Sequence, residues 1–303
     1  MHHVLTAGEI ELRAPDPPQP DRFRGLRRQT LVGQEVGAVH TGFALVTLEP
    51  GGLVATHVHS TEQSFYILRG SPVLVLGGVA HRLEPGVCGL IPVGVSHSWY
   101  RDEGDGEPLW LEANAPAPRI SGPPDTFFTG EPSASGLAET VDIRDPRSRH
   151  FFRLGGGEMD VDNLKVGAPA DAPTVSASMA TALLAYSGIA VKMLVDQRLG
   201  AVLHTMFMVE YQPGGVAQPH DHPLEEIYYV LEGEVEATAD DQTYVLRPGD
   251  VLWTGVGCIH AFSNKSKERV RWIETQSPQP PANHSYRFNR DWEYLSDRLG
   301  GRW

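Results

Sequence analysis

The sequence predicts an all-β protein built as two β-barrels or sandwiches in tandem, joined by a long irregular connection. Three observations carry this. Short β-type runs recur at roughly 8–12-residue spacing between Gly and Pro punctuation, the pattern of a barrel or sandwich and not of alternating βαβ units. Residues 50–101 are written again at 213–264 without a gap, at a constant offset of 163 (220 − 57, 233 − 70, 260 − 97). The length of 303 residues suits two domains of about 150, and the repeat favours that division over one large domain.

Taken in order, residues 1–30 are rich in Pro and Arg (Ala14-Pro15-Asp16-Pro17-Pro18-Gln19-Pro20) and read as an extended arm on the surface. Residues 31–120 form the first barrel, with strands expected at Phe43–Leu48, Ser64–Leu68 and Pro72–Leu76. Residues 121–190 hold Gly122-Pro123-Pro124, Gly155-Gly156-Gly157 and Ala168–Pro173, and read as a connecting segment of weak periodicity. Residues 191–281 form the second barrel, with strands at His204–Val209, Glu226–Leu231 and Thr243–Leu246. Each barrel closes alike: Trp110-Leu111-Glu112 runs to Pro116 and Pro118, and Trp272-Ile273-Glu274 to Pro278 and Pro280, at an offset of 162. In the tail, 282–303, Trp292, Leu295 and Leu299 fall at i, i+3 and i+7, which predicts a short helix with one apolar face.

Bulk composition narrows the partners. The net charge of −13, from 25 Lys plus Arg against 38 Asp plus Glu, argues against a nucleic-acid or anionic-membrane surface. No stretch reaches the 18 apolar residues of a membrane helix, and the start has no basic, apolar leader. The two cysteines, Cys88 and Cys258, sit one in each half and are not expected to pair, so a cytoplasmic location is expected. The expected partner is a small-molecule substrate, with a homo-oligomer left open.

Both copies carry histidines at the same offsets: His57, His59 and His97 in the first, His220, His222 and His260 in the second. Three such coincidences arise by chance with a probability on the order of 10⁻⁴. On a strand, side chains alternate faces, so His220 and His222 point the same way. Glu226 opens the next strand and His260 a later one. If these faces line a barrel interior, three imidazoles and one carboxylate converge, a set that binds a divalent first-row metal and leaves two octahedral positions open. The first copy places Gln63 where the second has Glu226, and Arg101 where it has Asn264. A neutral His57, His59, Gln63, His97 set loses one charge of attraction for a dication, and an inward Arg101 would weaken it further. This is expected to be a weaker or vestigial metal site. Glu62 is expected on the opposite face, Glu225 outward and Arg271 in solvent; Glu210, Tyr228 and Trp253 are candidate substrate contacts or barrel lining. His81, His150 and His204 have no assigned role.

The run Gly214-x5-His220-x-His222-x3-Glu226-x6-Gly233 resembles the first cupin motif, and Gly249-x5-Gly255-x-Gly257-x2-His260-x3-Asn264 the second, with Gly255 where the family usually has Pro. The first half matches the same frame, so the chain resembles a bicupin. That resemblance implies two jelly-roll barrels and a metal held by His220, His222, Glu226 and His260. The metal is left among iron, manganese, zinc, nickel and cobalt. The function it implies is a metal-dependent bicupin enzyme, oxygenase-like, using the second barrel on a small anionic or enol-type substrate. The alternatives are a manganese or zinc hydrolase, decarboxylase or isomerase, including the ureidoglycine aminohydrolase type, and a non-catalytic binding cupin. Bicupin oxalate decarboxylases carry a carboxylate ligand in both barrels, and Gln63 departs from that.

Overall fold

The computed structural model describes residues 1–121, 125–155, 157–159, 186–279 and 287–288. Its described elements are strands, with short 3₁₀ turns at Ala7–Glu9, Gln34–Val36 and Pro146–Ser148. Two compact units emerge. One comprises Ile10–Leu154 and Leu194–His204; the other comprises Met1–Glu9, Gly155–Met193 and Thr205–Trp303.

In the first unit a sheet curls around the long strand Gly42–His59. That strand pairs antiparallel with Phe23–Val32, His97–Tyr100, Leu109–Ala115 and Thr126–Gly130. The strand Glu62–Arg69 lies between Leu109–Ala115 and Val87–Ile91. Inward residues alternate along each strand and close on a core where Trp99 stacks on Trp110 at 4.9 Å and meets Phe65 edge-on at 5.2 Å. Burying such aromatic rings contributes about 2–3 kcal/mol each.

The second unit repeats this plan around Thr205–Asp221, which pairs with Val270–Ser277, His260–Ser263 and Tyr186–Val195. Tyr211 and Phe262 pack on Trp272 at 4.6 and 5.2 Å. Gly70 and Gly233 turn the chain at φ of 70° and 76°, and a Cβ on either would run into the backbone of Pro108 or Arg269. Only glycine fits there.

Residues 1–30, expected as an arm, are extended but enter the sheets. His2–Leu5 pairs with Val251–Thr254, and Phe23–Val32 with Gly42–His59. The segment 121–190 supplies the strands Thr126–Gly130, Glu139–Thr140 and Phe151–Arg153, and the start of Tyr186–Val195. A strand edge offers a full row of N–H and C=O groups, and an extended proline-rich chain with weak periodicity of its own can still pair with it. The helix expected over Trp292–Leu299 lies outside the described residues.

Candidate metal centres

In the second barrel His220 and His260 face each other as cross-strand neighbours, and Glu226 lies opposite Gln276 and Thr254. The ligand nitrogens of His220, His222 and His260 lie within 4.8 Å of one another, all buried. Each Nδ1 meets a backbone carbonyl: Gln218 at 2.7 Å, Leu224 at 3.0 Å and Cys258 at 3.0 Å. This assigns the Nδ1 proton to the carbonyl and aims Nε2 inward, the outer support typical of metal-bound histidine. Glu226 stands 2.7 Å from His222 Nε2 and 3.4 Å from His260 Nε2. Its Oε1 accepts from Gln276 Nε2 at 2.6 Å, and its Oε2 from the Tyr228 hydroxyl.

The charges follow from burial and neighbours. Burial, then His260, pushes His220 well below the usual imidazole range. Burial opposes ionisation of Glu226, but His222 and His260 outweigh it and hold the carboxyl well below its usual range. His222 is raised despite burial, because Glu226 faces it. Behind this group, Glu274 accepts from Trp272 Nε1 at 2.9 Å, and burial followed by the Glu226 charge drives its pKa well above the carboxylate range.

The first barrel repeats the geometry with neutral groups. His57, His59 and His97 also place their ligand nitrogens within 4.8 Å of one another. Their Nδ1 atoms meet the carbonyls of Ala55 at 2.8 Å, Thr61 at 2.7 Å and Val95 at 2.9 Å. Burial lowers His57 to about 4, and burial with His57 and His59 lowers His97 well below its usual value. His97 Nε2 is buried without a hydrogen-bond partner, a costly state for a polar atom, and one that a ligated cation would relieve. Gln63 Oε1 lies 3.4 Å from His59 Nε2. Both donor sets therefore fit a divalent transition metal: three imidazoles in each, plus a carboxylate in the second.

Several sequence expectations change here. Arg101 does not face the first site; its guanidinium is spent on the carbonyls of Leu48 and Asp105. Asn264 does the same job in the second barrel, on Tyr211, Gln212 and Glu268. Arg271 is not left to solvent but pairs with buried Glu210, at 3.0 Å from Nε. Glu225 is buried, not outward in solvent. Glu62 does point away from His57 and His59, onto His204 at 2.8 Å and the backbone of Val202 and Leu203. This also gives His204 a role that its sequence did not suggest. Trp253 is fully buried but pairs with Ile227, on the face away from Tyr228 and Leu252, and Tyr228 touches Glu226 and His260 directly.

The two interiors differ in room. In the first barrel His57 and His59 open onto a cavity of about 460 Å³, lined also by Arg28, Gln63, Glu112 and Phe128. The space bounded by described residues in the second, lined by His220, Glu226, Tyr228 and Glu274, is about 40 Å³. The sequence reading put the substrate in the second barrel; of the two spaces bounded by described residues, the larger lies in the first. At offset 163 Leu26, Arg28 and Thr30 align with Ile189, Val191 and Met193, so this strand presents a more apolar face in the second barrel.

The model of the cupin domain matches residues 44–113 and 207–275, once in each barrel. The chain is 32% identical over 90 residues to polyketide synthase CurC of Streptomyces cyaneus, covering 29% of this chain and 58% of that protein. It is 34% identical over 83 residues to germin-like protein subfamily 2 member 2 of Arabidopsis thaliana, covering 25% and 38%. These matches thus span well under two thirds of the curated relatives' own length. Among solved structures, oxalate decarboxylase from Bacillus subtilis is similar with a TM-score of 0.59 at 15% identity, over 98% of this chain and 82% of that one. The Lactobacillus farciminis oxalate decarboxylase formate complex gives 0.60 at 14%, over 98% and 93%. At such identity the likeness is one of fold. With a cupin-domain match in each half and a bicupin fold along nearly its whole length, the chain is a member of the cupin superfamily, a bicupin.

Proposed function

We propose that this bicupin is a metal-dependent enzyme acting on a small molecule that binds through oxygen, with His220, His222, Glu226 and His260 as one ligand set and His57, His59, Gln63 and His97 as a second, weaker one. The observation that carries this is the convergence of three Nε2 atoms in each barrel, each ring anchored at Nδ1 by a carbonyl. A bound dication would act as a Lewis acid that polarises a substrate oxygen. The chain's own residues supply the rest. Tyr228 and Gln276 orient the Glu226 carboxylate, and burial with the Glu226 charge raises the pKa of Glu274 behind it.

Two reaction classes are consistent with this set, an oxygenase-like one and a decarboxylase. The second gains from similarity in fold to oxalate decarboxylases, of which the Bacillus subtilis enzyme has Mn(II) centres. Elemental analysis of purified protein, followed by turnover with and without O2, tests the proposal. Stoichiometric metal with oxygen uptake supports the oxygenase form. Metal with anaerobic release of CO2 supports the decarboxylase form. Protein that retains no divalent ion in either barrel after metal loading overturns the proposal.

A further inference from the structure

We infer that the first-barrel cavity binds a mid-sized carboxylic acid with a flat apolar body, its carboxylate held by Arg28 and its far end against His57 and His59. Only the far end rests on the metal-site reading above; recognition of the acid stands on residues that ligate nothing.

The repeat isolates what is special about this cavity. Both barrels carry the Trp-x-Glu closing strand, and in both the indole Nε1 donates to the glutamate, Trp110 to Glu112 at 3.0 Å and Trp272 to Glu274 at 2.9 Å. What faces the glutamate differs. The first barrel has Arg28, whose Nε lies 3.5 Å from Glu112 Oε2; the second has Val191 at the same offset. Among the described residues, the Arg28 guanidinium thus lines the cavity of the first barrel and no guanidinium lines the space of the second, with volumes of about 460 Å³ and about 40 Å³. At 3.5 Å the Arg28–Glu112 pair is loose, and Arg28 is a planar fork suited to a carboxylate. An incoming acid can replace Glu112 as its partner.

The remaining wall sets the body of the ligand. Phe128 lies 5.3 Å from the His57 ring at an angle of 34° and meets Phe23 edge-on at 5.3 Å. Two phenyl rings beside an imidazole form a slot for a flat apolar group. A cavity of this volume lies in the range of sites for drug-sized ligands, roughly 300–1,000 Å³. A two-carbon diacid would leave most of it empty and the aromatic wall unused.

Titration calorimetry with 4-hydroxybenzoate, its neutral amide 4-hydroxybenzamide, and oxalate, on both metal-loaded and chelated protein, tests this. The acid is expected to bind at least about tenfold tighter than the amide, as a charge-assisted pair implies. Arg28→Gln should remove that preference and leave amide binding unchanged. Glu112→Gln keeps an acceptor for Trp110 but frees Arg28 of its anion, and should tighten acid binding; a merely structural ion pair predicts no such gain. Leu26→Trp should fill the cavity and abolish binding of both. Circular dichroism checks that each variant is folded. Equal binding of acid and amide, an undiminished acid preference in Arg28→Gln, tighter binding of oxalate than of the aromatic acid, or no binding of any probe overturns the inference. Acid binding by protein that retains no metal would sustain it and sink the enzyme proposal. Metal in both barrels without acid binding would do the reverse.

Discussion

At the scale of single residues, the centre of the second barrel depends on what holds Glu226. Gln276 is its only neutral amide donor among the described contacts. Gln276→Leu should therefore lower metal affinity by about tenfold to a hundredfold, the usual cost of losing an outer-shell partner, read by calorimetry with Mn²⁺ after chelation. The buried imidazoles set a pH dependence in metal-free protein. Burial lowers His57 to about 4 in the folded chain, against about 6.5 for an exposed imidazole. The unfolded chain thus binds more protons between these values, so stability falls as pH drops from about 6.5 towards 4. His97 and His220 are lowered in the same direction. Urea midpoints of the chelated protein at pH 7.5 and 5 should show that loss; equal midpoints would contradict it.

At the scale of elements, the turns and the borrowed strands matter most. Gly233 sits at φ 76° with the Arg269–Val270 backbone beside it. Gly233→Ala should cost more than about 1 kcal/mol in urea unfolding, through both strain and collision. The strand His2–Leu5 covers the edge of Val251–Thr254. Removing residues 1–6 would leave that edge unpaired, an invitation to aggregation; a lower Tm and concentration-dependent light scattering are the expected readouts.

At the scale of the whole molecule, duplication gave two barrels the same ligand frame and then different interiors. The second keeps the charged ligand and a filled core; the first keeps a neutral ligand set, a guanidinium and the larger chamber. The carboxylate in one set and its absence in the other predict unequal metal loading. Graded additions of EDTA should strip the first barrel before the second, and His97→Ala should eliminate the weaker class of sites while sparing the tighter one, by metal analysis. One class of sites with a single affinity would count against this.

The sequence by itself determined the all-β class, the tandem repeat and the two histidine frames, because strand alternation and fixed offsets are local rules that survive without tertiary information. The same rules separated Glu62 from the His57–His59 face. Only the tertiary structure decided where Arg101 spends its guanidinium, that Gln276 and Tyr228 support Glu226, and that proline-rich and connecting segments become strands. It also decided which barrel has room. Most of those outcomes depend on partners from distant strands, such as Leu48 for Arg101 and Gln276 for Glu226, and the volume of a cavity is set by side chains from many strands together, which no local pattern encodes.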